Sequence, residues 1–435
     1  MAHRQILLFL LRNFSPPIHL CHMDYATERN RTNTLTTIAM VVDNEFYGDI
    51  RVHNEARALT KNGFNVKIFC FSFGKQPLNQ KIDGIGVHRI RFSRKLKNIL
   101  FGIVNTIPLY YWFWEYQLKK MLQGIDVDAI HAHDLYMAKP ARRVASQLKI
   151  PMILDLHENY PEAVKSYRWA NRSPYKLLAK PGKWAKHEKK YLQMADGLVV
   201  LSENFANHIN TKYPNVTRDS IWIYPNVPDV DEMLSYEIKK TALNSRDNFN
   251  LLYFGGISER RGVYTCIRAI ELLVEKHNNF RLVLIGPVDG HEKDELFQTI
   301  SRAEVQKSIL HIPWIDISEL PSYINDSHIC LSPIFKNDQH DSGVANKVFQ
   351  YMLLGKPLIV SNCTPQAQIV TEGECGLVFE SDNAHDLAQK IEQLYNNRDL
   401  CSELGENGKR MVIKKYNTTY FGKRLVDNYR SLLNK

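Results

Sequence analysis

The chain has 435 residues, 44% of them hydrophobic, and a formal net charge of +10 at pH 7. That length exceeds one compact unit, so two domains are expected, and no apolar run approaches the roughly 18 to 20 residues of a membrane span. Cysteines at 21, 70, 266, 330, 363, 375 and 401 show no C-x-x-C spacing and lie mostly in apolar runs, which speaks against a disulfide framework and for a reducing, cytoplasmic location.

Residues 1–33 match no regular element and read as an N-terminal extension, with Met23 as an alternative start. A strand is expected over 36–42, then the loop DNEFYGDI with Gly48, a helix over 51–62 closed by Gly63, and a strand in FNVKIFCFS. This strand, turn, helix, strand order opens a Rossmann-like domain. The turn carries no G-x-G-x-x-G, so a nicotinamide or flavin dinucleotide is not expected.

The stretch 94–122 has basic ends and an aromatic middle with Trp112 and Trp114. It reads either as a buried helix pair broken at Pro108 or as an interfacial membrane helix. The lysine-rich, aromatic stretch 165–191 raises a similar choice, between a solvated loop and helix face and a contact with an anionic membrane or acceptor.

Between these stretches, DAIHAHDLYMA reads as a strand ending at His133 and Asp134, and IPMILDLHENYPE as one ending at Asp155, His157 and Glu158. Both put polar groups at carboxyl edges, where function sits in open α/β sheets. His131 and His133 point the same way from one strand, but with no third ligand placed a metal is not expected. The D-x-D triplets at Asp126 with Asp128 and Asp229 with Asp231 fall in turns away from that edge.

The first domain is expected over 34–226 and a polar linker over 227–249. NLLYFGGISERRGVYTCIRAIELL then restarts the strand, glycine turn, helix pattern, opening a second domain over 250–418. Its Gly255, Gly256 and Gly262 let the backbone pass close to a ligand. Later come a strand ending at Pro333, a polar loop, a helix over 344–354 stopped by Gly355 and Pro357, and a strand over 357–361. A helix start at such an edge binds anions. Charge divides unevenly: 28 Lys and Arg against 16 Asp and Glu over 34–226, and 24 against 28 over 227–435. A basic first half suits an anionic surface or substrate.

The pattern NKVFQYMLLGKPLIVSN resembles the donor-binding signature of the retaining, nucleotide-sugar-dependent glycosyltransferases of family 4, and DIRVHNEARAL followed by GFNVKIF is similar to that family's first helix and second strand. The resemblance covers about 34–435. It implies an α/β protein of the GT-B fold, two Rossmann-like domains facing each other across a cleft. The first would take the acceptor and the second the nucleotide sugar, with a C-terminal helix over 419–435 returning to the first.

The same resemblance implies an enzyme that moves a sugar from a nucleotide-diphosphate sugar to a hydroxyl acceptor with retention, without a metal or other cofactor. The setting would be surface polysaccharide or glycolipid synthesis, peripheral to the inner face of the membrane. The partners would be the donor, a saccharide or lipid-linked acceptor and an anionic membrane surface, with no nucleic acid. A GT-B protein that only binds sugar or nucleotide, and a GT-B nucleotide-sugar epimerase, remain alternatives.

Carried over residue by residue, the resemblance places His157 and Asp134 at the reacting centre. It places Arg261, Lys347, Gly48, Gly256 and Gly343 at the donor phosphates, Gln350, Ser342 and Asp341 at the ribose or sugar, and Trp314 and Ile315 at the base. Two departures stand out. The family's two glutamates fall on Ser342 and Gln350, and one of its two basic residues in the glycine turn falls on Gly256, which leaves Arg261.

Overall fold

A computed structural model describes residues 35–166, 180, 182–243, 248–303 and 305–434. The extension at 1–33 and most of the 165–191 stretch, residues 167–179 and 181, lie outside the described residues. Residues 36–435 form one compact unit built on two sheets.

The first sheet has eight strands: β1 (Thr37–Val41), β2 (Asn65–Ser72), β3 (Asn79–Ile82), β4 (Ile85–Arg91), β5 (Ala129–His133), β6 (Met152–Asp155), β7 (Gly197–Val200) and β8 (Ile221–Ile223). Their spatial order is β3-β4-β2-β1-β5-β6-β7-β8, parallel except for the β3–β4 hairpin. The second has six: β9 (Phe249–Phe254), β10 (Phe280–Ile285), β11 (Ile309–Ile312), β12 (Ile329–Ser332), β13 (Leu358–Ser361) and β14 (Gly376–Phe379), in the order β11-β10-β9-β12-β13-β14. Strands such as TIAMV in β1 and ICLS in β12 are buried throughout, as both faces of a parallel sheet are covered by helices. Each sheet reverses direction once, between β1 and β5 and between β9 and β12, and the crevice at such a reversal is where doubly wound sheets hold ligands. This is the GT-B architecture.

Helix α1 (Ile50–Lys61) is capped by Asp49, whose side chain accepts from the Val52 amide. The aromatic stretch is the helix pair α2 (Arg94–Gly102) and α3 (Leu109–Leu122), with Pro108 at the start of α3. Tyr110, Tyr111, Phe113 and Trp114 are buried, while Trp112 and Tyr116 are exposed. The buried reading therefore holds for one face only.

Two boundaries differ from expectation. The linker contains a short helix, Val230–Ser235, capped by Asp229. Its following residues are pinned to the second domain, the Thr241 hydroxyl donating to Asp326 at 2.7 Å. The helix expected over 344–354 is α4, Asn346–Leu353. Gly343 is extended before it and packs so close to the first domain that a Cβ there would sit 2.7 Å from the Leu201 Cβ. Gly355 does end the helix, with φ +68°.

The chain returns through α5 (Arg398–Lys414) and α6 (Thr418–Leu433). The Thr418 amide donates to the Pro228 carbonyl at 3.1 Å. Helix α6 then lies on α1, where a Cβ on Gly422 would come 2.7 Å from that of Ala58. The second domain's last helix is thus part of the first domain's packing.

Candidate active site

At the carboxyl edge of the first sheet, adjacent strands β5 and β6 end in His133 and Asp155, and the loops beyond carry Asp134 and His157. Asp134 has φ +71° and ψ 145°, a backbone region that costs a non-glycine residue on the order of 1–3 kcal/mol. Its amide donates to the Asp155 carbonyl at 2.8 Å, which holds the two strand ends together.

Asp155 is the hub. Its carboxylate meets Arg51 Nη2 at 2.5 Å and Nε at 3.0 Å, His133 Nδ1 at 3.0 Å and His157 Nε2 at 2.8 Å. Arg51 comes from the first turn of α1 and also donates to the Tyr224 carbonyl at 2.5 Å and faces Glu55 at 3.2 Å. Burial opposes ionisation of Asp155, but Arg51 first and His157 second overcome it and hold the carboxyl well below its usual range. Glu55, buried and close to Asp155, is pushed up instead.

His157 keeps 20% side-chain exposure and stands 3.7 Å from Asp134. Burial disfavours its charge, yet Asp134 and Asp155 outweigh that and raise it to about 10. It is therefore an imidazolium at neutral pH, held by two carboxylates of unequal strength. Asp134 itself is raised to about 6 by burial, with Asp43 and Glu158 adding to the rise and His157 opposing it.

One ligand atom from each of Glu55, His131, His133 and Asp155 lies within 4.8 Å of the others. Glu55 and Asp155 thus fill the ligand places that the histidine pair alone left open. The donor set nonetheless suits a metal poorly, because the Arg51 guanidinium already faces both carboxylates and a divalent ion would share their charge with it.

Across the cleft, Lys347 in the first turn of α4 is buried, with Nζ 3.6 Å above the centre of the Tyr253 ring. Nζ has no hydrogen-bond partner among the described residues, and burial followed by Arg261 pushes it well below its ordinary value. A Cβ on Gly255 would lie 3.6 Å from it. Gly256 is exposed and its carbonyl accepts from the Tyr253 hydroxyl at 2.6 Å. A turn of bare backbone, an arginine and a buried amine, with no carboxylate paired to either among the described residues, suit an anion.

The loop between β12 and α4 meets the first domain. Gln339 Nε2 donates to Glu158 at 3.1 Å, Asn159 Nδ2 to the Asp338 carbonyl at 3.4 Å, and Ser202 Oγ to the Ser342 carbonyl at 2.9 Å. Ser342 Oγ is used inside the loop, on the Gln339 carbonyl at 2.6 Å. Asp341 accepts from the Thr364 amide at 2.7 Å. Gln350 is buried on α4 beyond Lys347. Trp314 is exposed and Ile315 buried after β11, and Gly48 is exposed in the β1–α1 loop with φ +79°. The structure therefore joins His157 to Asp134, and Lys347 to Arg261 and the glycine turn. Sequence reading missed Arg51 and Glu55; their signal was an ionic pair four residues apart on the first helix.

Residues 49–232 match the family described as Glycosyltransferase Family 4, and residues 236–411 match Glycosyl transferases group 1. The chain is thus made of two domains that each match a glycosyltransferase family. Over 191 residues it is 28% identical to the capsular polysaccharide biosynthesis glycosyltransferase CapM of Staphylococcus aureus, a match spanning 43% of this chain and 47% of that protein. Sucrose-phosphate synthase from Thermosynechococcus elongatus has the same fold, with a TM-score of 0.71 and 18% identity over 92% of this chain and 99% of its own. HepE of Anabaena, in complex with UDP, gives 0.68 and 13% over 91% and 100%.

In this glycosyltransferase the raised His157 has a defined effect on stability. A histidine held above its unfolded value of about 6.5 stabilises the fold fully below that pH and loses the contribution as pH rises toward the folded value, here about 10. The stability advantage of the native protein over His157→Gln should therefore be largest near pH 6 and shrink steadily to pH 10. Denaturant unfolding at several pH values checks this; an advantage that grows with pH would reverse the assigned sign.

Proposed function

We propose that the protein transfers a sugar from a nucleoside diphosphate sugar to a hydroxyl acceptor with retention of configuration, in the synthesis of a surface polysaccharide or glycolipid. The observation that carries this is Lys347, a buried amine whose Nζ has no hydrogen-bond partner among the described residues and whose charge burial and Arg261 disfavour until an anion arrives, beside the Gly255–Gly256 turn. A diphosphate supplies the missing charge, and as the glycosidic bond breaks its growing negative charge meets cations already in place. The UDP complex of HepE and the biosynthetic role in the name of CapM support the same reading.

His157, as an imidazolium at the opposite wall, would donate to the donor sugar near the anomeric centre, with Asp134 and Asp155 holding its ring. Asp155 is committed to Arg51 and two histidines, which leaves it unsuited to act as a nucleophile. A departing phosphate oxygen would then take the acceptor's proton on the face where the new bond forms. The cations supply what a metal ion would otherwise supply, so transfer should proceed in excess EDTA.

Lys347→Ala should weaken binding of a nucleoside diphosphate by about tenfold or more while leaving the nucleoside unchanged, because a charge-assisted contact is lost only for the former. Calorimetric titration with both ligands tests this; equal losses would remove the phosphate assignment. Nucleotide-sugar turnover in EDTA, with the product anomer read by NMR, tests metal independence and retention; activity lost to EDTA and restored by Mg, or an inverted product, would contradict them.

The acceptor side is proposed to meet an anionic membrane. Trp112, Tyr116 and Lys120 lie four residues apart on the exposed face of α3, an aromatic and basic stripe of the kind that lies at a lipid interface. Among the described residues no helix is long and apolar enough to cross a membrane. Sedimentation with anionic vesicles at low salt should carry the protein down, and high salt should release it. Protein left in solution at low salt would reject the membrane contact.

A further inference from the structure

Beneath His157 lies a second layer of buried polar groups that the proposed reaction does not use. His131 is fully buried, stacked on His133 at 4.4 Å, and its Nδ1 is 2.8 Å from the Tyr429 hydroxyl. Its Nε2 faces Glu55 Oε2 at 3.7 Å. Neither that nitrogen nor the Glu55 oxygens have a hydrogen-bond partner among the described residues. Glu55 in turn faces Arg51 at 3.2 Å, and Arg51 grips Asp155, which holds His157.

Tyr429 is the outlying member. It belongs to α6, the helix that follows the second domain and lies on the first, and its ring is packed among Phe64, Trp222 and His131. A neutral histidine has one N–H. The tyrosine hydroxyl can donate to Nδ1 or accept from it; when it donates, the His131 proton sits on Nε2 and faces Glu55, whose ionised form Arg51 favours against burial and Asp155. With no hydroxyl at that place, nothing at Nδ1 fixes the proton of His131, and the group that His131 presents to Glu55 is no longer set.

We infer that Tyr429 is a positioning residue for His157: its hydroxyl sets the tautomer of His131, which with Glu55 fixes the Arg51 fork and through Asp155 the catalytic imidazolium. This rests on the reading of His157 as the group that meets the donor sugar. It gives the returning helix a part in the chemistry, since correct seating of the second domain's last helix is transmitted to the first domain's site.

Tyr429→Phe removes one oxygen and keeps the ring in its apolar seat. It should lower kcat about two- to tenfold, the range expected for one buried hydrogen bond, while KM for the nucleotide sugar stays within twofold. In histidine-labelled protein, the nitrogen NMR signals of His131 should move from the single Nε2–H tautomer of the native protein to a mixture. Loss of kcat together with the tautomer change supports the inference. Native kcat, or an unchanged His131 spectrum, overturns it. His157→Ala serves as the separate control: activity lost there while Tyr429→Phe behaves as native defeats only the relay, whereas full activity in His157→Ala defeats the catalytic reading on which it rests.

Discussion

The first domain's site depends on one buried ion pair, Arg51 with Asp155. Both side chains are almost completely inaccessible, and taking two such charges out of water costs several kcal/mol for each ion before their attraction is counted. The geometry recovers that cost because the guanidinium fork meets both carboxylate oxygens and still has a donor for the Tyr224 carbonyl. The carboxylate's remaining capacity goes to two imidazoles. A replacement of the pair by apolar residues could match the stability, but it would leave His157 without the charge that keeps it protonated. Function, more than stability, accounts for the pair.

The second domain uses the opposite device. Lys347 is buried near Arg261 and over an aromatic face, with no hydrogen-bond partner among the described residues, so its charged form is disfavoured unless an anion lies beside it. One wall of the cleft therefore pairs its central carboxylate with a guanidinium and two imidazoles, while the other keeps a buried amine for which the proposed diphosphate would be the partner. The loop contacts from Gln339 to Glu158 and from Ser202 to Ser342 bring the walls together, and Gly343 permits the closest approach because any side chain there would strike Leu201.

Much of this was legible in the sequence. Two strand, turn, helix restarts showed two Rossmann-like domains, and the run from Asn346 to Asn362 carried the family resemblance that the matches to known proteins bear out. Glycine and proline punctuation placed the end of α4 to within one residue. The start of α4 was misplaced by two residues because Val344 and Ala345 have helical spacing, while Gly343 and Ala345 are extended in the structure where the loop packs on Leu201. The linker helix was missed because its signal is one cap, Asp229, within a polar stretch. The Arg51–Asp155 pair was illegible for a simpler reason: its partners are 104 residues apart, and spacing rules see only neighbours along the chain. The same holds for Tyr429, 298 residues from His131. Polar residues at strand ends could be recognised as functional, but not which of them touch.

The most direct test of the account is a double-mutant cycle on kcat/KM for sugar transfer, with Arg51→Met, Asp155→Asn and both together, each assayed under conditions where the variant is folded. Residues that act as one unit lose nearly everything with the first substitution. The account predicts that the double variant is about as active as either single one. Losses that multiply would show that Arg51 and Asp155 act independently, and would contradict the claim that the pair exists to hold His157.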